Sequence, residues 1–261
     1  MVKPNGGEAV TRDVTQTSED GLLNGRVRLR QDERGYRAGM DAALLAAACD
    51  AGEGQRVLEA GCGAGAALLA AAVRRPGAHF VGIERDETAL ALALGNIVLN
   101  GLEARVTARA GEVSAPLKAC GLASGGFDAA LANPPFFDNQ RSLRGPAPAK
   151  RGAWIAEDGL EAWTGFLTKA VREGGSLTLI HRAERLGDLI ALLSPTAGSF
   201  QVRPIHPFAD TPASRVVVRA IRSGRAPLRL LPPLILHPRE GPKHTPEAEA
   251  IFRGEAALDW L

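Results

Sequence analysis

The sequence predicts a doubly wound α/β fold, with a mostly parallel sheet, helices on both faces and an antiparallel strand near the C-terminal end. Three observations predict it. Apolar runs of five or six residues alternate with Ala/Leu-rich stretches long enough for helices, a pattern that requires right-handed crossovers between parallel strands. A glycine-dense turn follows one run at 61–65, and a double proline follows another at 134–135. Only turn residues separate the last two runs, 201–206 and 215–222, which makes them an antiparallel pair.

Each element follows in order. Residues 1 to about 20 are polar and read as a flexible leader, with one domain expected over 21–261. Residues 22–31 alternate (Arg26-Val27-Arg28-Leu29-Arg30) and predict one or two short strands, and 41–50 a helix with Asp41 as its N-cap. Together they form a strand/helix extension before the main pattern. Strands are expected at 56–60, 79–84, 105–110, 127–132 and 176–181. Helices are expected from the glycine turn to Arg75, at 86–100 closed by Gly101, at 113–119 as a short one, at 157–172 and at 183–193. Residues 228–236 read as extended and 246–252 as a short helix. The stretch 138–153 has no periodicity, carries Arg141, Arg144, Lys150 and Arg151, and predicts a basic loop beside the double proline.

The bulk numbers bound the function. A chain of 261 residues, 45% hydrophobic and 23% charged, can bury a sizeable core. Its net charge of +2 is too small to argue for nucleic acid by itself. Cys49, Cys62 and Cys120 are odd in number and lack metal-ligand spacing, which predicts neither disulfides nor zinc but a reducing, cytoplasmic setting. The first residues hold no apolar signal region, and the apolar runs are too short to span a bilayer.

Two sites carry the chemistry. In Glu59-Ala60-Gly61-Cys62-Gly63-Ala64-Gly65, glycines follow a strand and let a ligand lie against backbone, while Glu84 ends the next strand, where it can accept both hydroxyls of a ribose. An acid directly before the loop opposes the pyrophosphate of a dinucleotide. It favours S-adenosylmethionine, which has no phosphate and carries a positive sulfonium and amine. The second site is Asn133-Pro134-Pro135-Phe136. Neither proline can donate to a ladder, and residues before proline are pushed to extended geometry, so the strand stops in a stiff turn. That turn offers an amide oxygen, a carbonyl and a ring. Asn133 and the Pro134 carbonyl would accept from a planar amine and stabilise the charge developing on it, and Phe136 would stack on the attached base. Positioning carries the rate, because the sulfonium is already activated.

The set VLEAGCGAG, VGIE and LANPPFF resembles the class I S-adenosylmethionine methyltransferases. More narrowly, Gly35 to Leu45 (GYRAGMDAALL) and Ser214 to Arg219 (SRVVVR) resemble the bacterial tRNA(Val) adenine N(6)-methyltransferases, a likeness covering about residues 22–255. It implies a Rossmann-like, seven-stranded methyltransferase sheet. It implies a cofactor site of Arg37, Asp41, Glu59, Ala60, Gly61, Cys62, Gly63, Gly65, Glu84, Arg85, Glu112 and Asn133, with Arg37 and Asp41 beside the methionine portion. Glu112 stands where related enzymes usually place Asp against the adenine amine. Asn133, Pro134, Pro135 and Phe136 would be catalytic.

The implied substrate is an unpaired adenine of RNA, in the anticodon loop of a tRNA, and the implied protein is a monomer or weak homodimer. Ribosomal RNA guanine and protein glutamine remain alternative acceptors, since the tetrapeptide does not separate amine from amide. A non-catalytic RNA-binding factor is a further one. No separate helical domain precedes the glycine loop, an expectation against the glutamine enzymes. Arg203, Arg215, Arg219, Arg222, Arg225 and Arg229, with the basic loop, would form a phosphate-binding rim. His181, Trp154 and Trp163 read as packing residues.

Overall fold

The computed structural model describes residues 16–33, 39–136 and 159–260. Strands β3 (Arg56–Ala60), β4 (His79–Glu84), β5 (Val106–Ala110), β6 (Phe127–Ala132), β7 (Val171–Arg182), β8 (Ala197–His206) and β9 (Arg215–Arg222) form the sheet. The two-residue strands β10 (Arg229–Leu230) and β11 (Leu234–Ile235) both pair with β8. The order β8-β9-β7-β6-β3-β4-β5 is parallel except for β9, which runs against both its neighbours. The expected seven-stranded sheet with one antiparallel C-terminal strand is therefore present, extended by two short strands.

Helices α1 (Met40–Ala47), α2 (Ala66–Arg74), α3 (Glu87–Leu99) and α6 (Pro246–Arg253) cover one face, and α4 (Gly159–Ala170) and α5 (Leu186–Leu193) the other. Because both faces are covered, neighbouring residues of one strand enter different cores: Ala129 and Leu131 on one side, Ala130 and Ala132 on the other. That is why β6 reads as a continuous apolar run rather than an alternating one.

An antiparallel hairpin of β1 (Thr17–Leu22) and β2 (Val27–Asp32) lies outside the sheet. Asn96 of α3 and Asn100, which caps that helix, act as the hairpin's pairing partners. Asn96 Oδ1 accepts from Arg30 N–H at 2.8 Å, and Asn96 Nδ2 donates to Arg30 O at 2.9 Å. Asn100 does the same for Arg28. The second Asn96 donor reaches Ala64 O in the glycine loop at 2.9 Å, so one fully buried amide links hairpin, helix and loop. Buried polar atoms tolerate this placement only when bonded this completely.

Several boundaries differ from expectation. The first strand begins at Thr17, inside the stretch read as a leader. The segment expected as a short helix at 113–119 is one 3-10 turn at Leu117–Cys120. Gly39, not Asp41, occupies the N-cap of α1, and the Asp41 carboxylate bonds elsewhere. The basic loop, Trp154 and Arg37 lie outside the described residues.

Candidate active site

Strand register sets the site. Ala60 pairs with Ile83 on one side and with Ala132 on the other, so Gly61 emerges between Glu84 and Asn133. Glu84 in turn pairs with Ala110. At the ordinary strand spacing, Glu84 and Asn133 are two strands and about 10 Å apart. The chain passes from β3 to β4 and β5 in one direction, then returns to place β6 on the other flank of β3. The crevice between β3 and β6 is therefore the switch point of the sheet, where open α/β folds bind ligands.

The glycine loop is held by its own backbone. Cys62 N–H donates to Ile83 O at 3.0 Å and Gly65 N–H to Cys62 O at 2.8 Å. Gly61 (φ +65°) and Gly63 (φ +54°) sit in the left-handed region for different reasons. A Cβ on Gly61 would lie 2.3 Å from Cη2 of Trp163, a buried α4 residue whose packing role is as expected. A Cβ on Gly63 would meet nothing within 4 Å. One glycine is required by the core; the other leaves open backbone.

The two acids differ as sharply. Glu84 accepts from the N–H groups of Gly63 at 2.8 Å and of Arg85 and Asp86 at 2.9 Å, which ties β4 to the loop. Glu59 is 3% exposed, and its Oε2 has no hydrogen-bond partner. Burial, reinforced by the nearby Glu84, pushes its carboxyl well above the ordinary carboxylate range. A buried acceptor without a donor fits a cationic or N–H-bearing ligand. Cys62 and Ala60 turn into the core, and burial raises the Cys62 thiol, so only their backbone is available to a cofactor. Glu112 is half-exposed and faces Arg85 at 3.8 Å.

On the β6 side, Asn133 Oδ1 is buried and unpartnered. Pro134 is buried, and Phe136 is half-buried. The Phe136 ring meets His181 edge-on, at 5.4 Å between centroids and 87° between planes. The guanidinium carbon of Arg215 stands 4.5 Å from the same ring centroid. Arg215 Nε also reaches Asp41 Oδ2 at 3.2 Å, while Asp41 Oδ1 is buried without a partner. Desolvation raises the Asp41 carboxyl, and Arg215 only partly opposes it. Arg215 and His181 are thus neighbours of Phe136. Arg215 read in the sequence as part of a phosphate rim and His181 as packing.

The Methyltransferase domain family matches residues 51–181, half of the chain. The chain belongs to the methyltransferase domain family. Release factor glutamine methyltransferases of Gloeobacter violaceus and Moorella thermoacetica are each 30% identical to it, over 65% and 59% of this chain. The chain spans only 60% and 55% of those relatives' lengths. The structure of a predicted O-methyltransferase from Agrobacterium tumefaciens superposes with a TM-score of 0.71 at 28% identity, covering 84% of this chain and 98% of that one. The fold is the class I methyltransferase sheet, and the cofactor is S-adenosylmethionine. The orphaned Glu59 oxygen and the open backbone at Gly63 fit that group. Among the described residues, no cluster could hold a metal ion and no helix is long and apolar enough to cross a membrane.

Among the described residues, several arginines of the expected phosphate rim are engaged within the chain. Arg219 bonds Asp50 and Gln201; Arg222 bonds Val171 O and pairs with Glu173; Arg203 donates to Pro232 O and Asp259 O. Arg225 and Arg229 are exposed. Strand alternation turns the arginines of β9 towards fixed intramolecular acceptors instead of a common outer surface.

Proposed function

We propose that this methyltransferase acts on a planar nitrogen, the exocyclic amine of an adenine in RNA, with the anticodon loop of a tRNA as the leading target. The observation that carries the reading is the buried, unpartnered Oδ1 of Asn133 at the switch point, next to the glycine loop. A buried acceptor left unpaired costs about 1–3 kcal/mol, a cost a substrate N–H would remove.

When bound, S-adenosylmethionine supplies an activated methyl group. The chain supplies everything else. Glu59 offers a carboxylate to a positive group. Glu84 ties the loop to β4 through three backbone N–H groups and keeps about one acceptor site for a ribose hydroxyl. Asn133 and the Pro134 carbonyl accept from the two N–H groups of the acceptor and stabilise positive charge as it develops there. Phe136 offers a face for stacking. No general base is needed, because the amine becomes acidic once methylated and releases its proton to water.

Two residues support adenine. Asp41 and Arg215 lie outside the family match at 51–181, in the two segments that resemble the tRNA adenine enzymes. They meet each other across 174 residues of chain, and Arg215 also meets the Phe136 ring. The second reading is a glutamine amide of a protein. The names of the curated relatives favour it over adenine, and the internally consumed arginines weaken the case for RNA.

The deciding assay supplies labelled S-adenosylmethionine with unmodified tRNA in one arm and a peptide-chain release factor in the other. N(6)-methyladenosine in the tRNA supports the first reading; label on a glutamine replaces it with the second. Label in neither arm overturns both acceptors.

A further inference from the structure

We propose that Arg215 is the positioning residue for the acceptor-stacking ring, fixing Phe136 so that only one of its faces receives substrate. The inference rests on Phe136 being the stacking ring, as above. Phe136 stands four residues past the end of β6, after the double proline. Two residues from elsewhere in the chain meet its ring, and a third fixes one of them. His181 meets its edge at 5.4 Å, Arg215 lies 4.5 Å from its centroid, and Asp41 pairs with Arg215 at 3.2 Å. Arg215 also donates to Ser214 O at 3.1 Å, which leaves its guanidinium little freedom. A planar cation against a ring occupies that face. A substrate plane can therefore stack only on the opposite one, and the orientation of Phe136 sets the angle at which the acceptor nitrogen meets Asn133.

The structure carries its own control. Arg219, four residues along the same strand, pairs with Asp50 just past the end of α1, tying that segment to β9 as Arg215 ties α1, and bonds Gln201 rather than an aromatic ring. If the Asp41–Arg215 pair only held α1 to the sheet, the two arginines would be equivalent.

The test places 4-fluorophenylalanine at position 136 and follows its fluorine resonance in the intact protein. Arg215→Gln is expected to shift the resonance, Asp41→Asn to shift it in the same direction, and Arg215→Lys to restore part of the difference. Arg219→Gln should leave it in place. With the acceptor identified above, Arg215→Gln should raise the acceptor KM about three- to thirty-fold, the range a cation–ring contact spans, and leave cofactor affinity unchanged. Asp41→Asn combined with Arg215→Gln removes both charges, guards against an unpaired buried acid, and should match the single variants rather than add to them.

A resonance that ignores Arg215→Gln overturns the inference. So does a loss confined to cofactor affinity. A resonance that shifts as expected in a protein that methylates neither RNA nor glutamine keeps Arg215 as the ring's positioning residue and overturns the acceptor reading instead.

Discussion

The cofactor side and the acceptor side of the crevice are built by opposite means. On the cofactor side, partners are close in sequence: Gly63 bonds Glu84 across 21 residues, and Cys62 bonds Ile83 through backbone alone. On the acceptor side, Asp41, Phe136, His181 and Arg215 come from four distant elements, with Asp41 and Arg215 separated by 174 residues. The first half is shaped by contacts between the glycine loop and the end of the adjacent strand β4. The second exists only after α1, β7 and β9 have packed. Variants near the glycine loop should therefore act on cofactor binding or folding, and variants near Phe136 on the acceptor.

The largest expected effect breaks the acceptor side alone. Asn133→Ala should lower kcat by about a hundred- to a thousand-fold, the usual cost of losing one preorganised polar partner of the transition state. Cofactor affinity, measured by calorimetry, should stay within a few-fold; equal turnover in variant and wild type would remove Asn133 from the mechanism.

Next come the paired substitutions of the glycine loop. Gly61→Ala drives a methyl into the Trp163 ring and should destabilise the protein by several kcal/mol, adding overpacking to backbone strain. Gly63→Ala meets no atom and should cost only about 1–2 kcal/mol while cofactor affinity collapses. Thermal melts with and without S-adenosylmethionine separate the two, and equal losses in both would merge roles that the structure divides.

A smaller effect concerns Glu59. Its folded carboxyl is raised, so its charge weighs against folding once the pH passes the ordinary carboxylate range. Without cofactor, stability should fall as pH rises from that range through the raised folded value. Glu59→Gln should flatten this slope and raise the melting temperature at neutral pH, while weakening the cofactor. A wild-type slope of the opposite sign would mean that Glu59 is compensated by a partner.

The smallest effect tests the rim. Arg219→Ala should lower stability modestly and leave the salt dependence of RNA binding unchanged, because its charge is already spent on Asp50. A reduced salt slope in filter binding would return Arg219 to the RNA surface.

Much of this division was legible in the sequence. The glycine turn, the acids at 59 and 84 and the double proline announce themselves because each is a local demand on backbone geometry or strand ends. The antiparallel pair was legible for the same reason. The Asp41–Arg215–Phe136 contact was not, since it depends on matched lengths in two elements. Arg215 and Arg219 stand about 13 Å apart along β9, and Asp41 and Asp50 about the same distance along α1 and its end. Alternation identifies the arginines as sharing a face, but nothing in the chain announces which helix waits opposite. The glutamine or adenine question has the same origin: Asn133 recognises a donor, and amide and amine offer the same one.

The indole of Trp163 lies against Gly61, on the underside of the loop that a cofactor would cover. It is one of three tryptophans in the chain, and a fluorophore there needs no label. Any tightening of the loop changes the packing around that ring, so its emission should report cofactor arrival in real time, without an acceptor and without turnover. The residue that forbids a side chain at Gly61 thereby gives the enzyme a built-in optical signal of its first binding step.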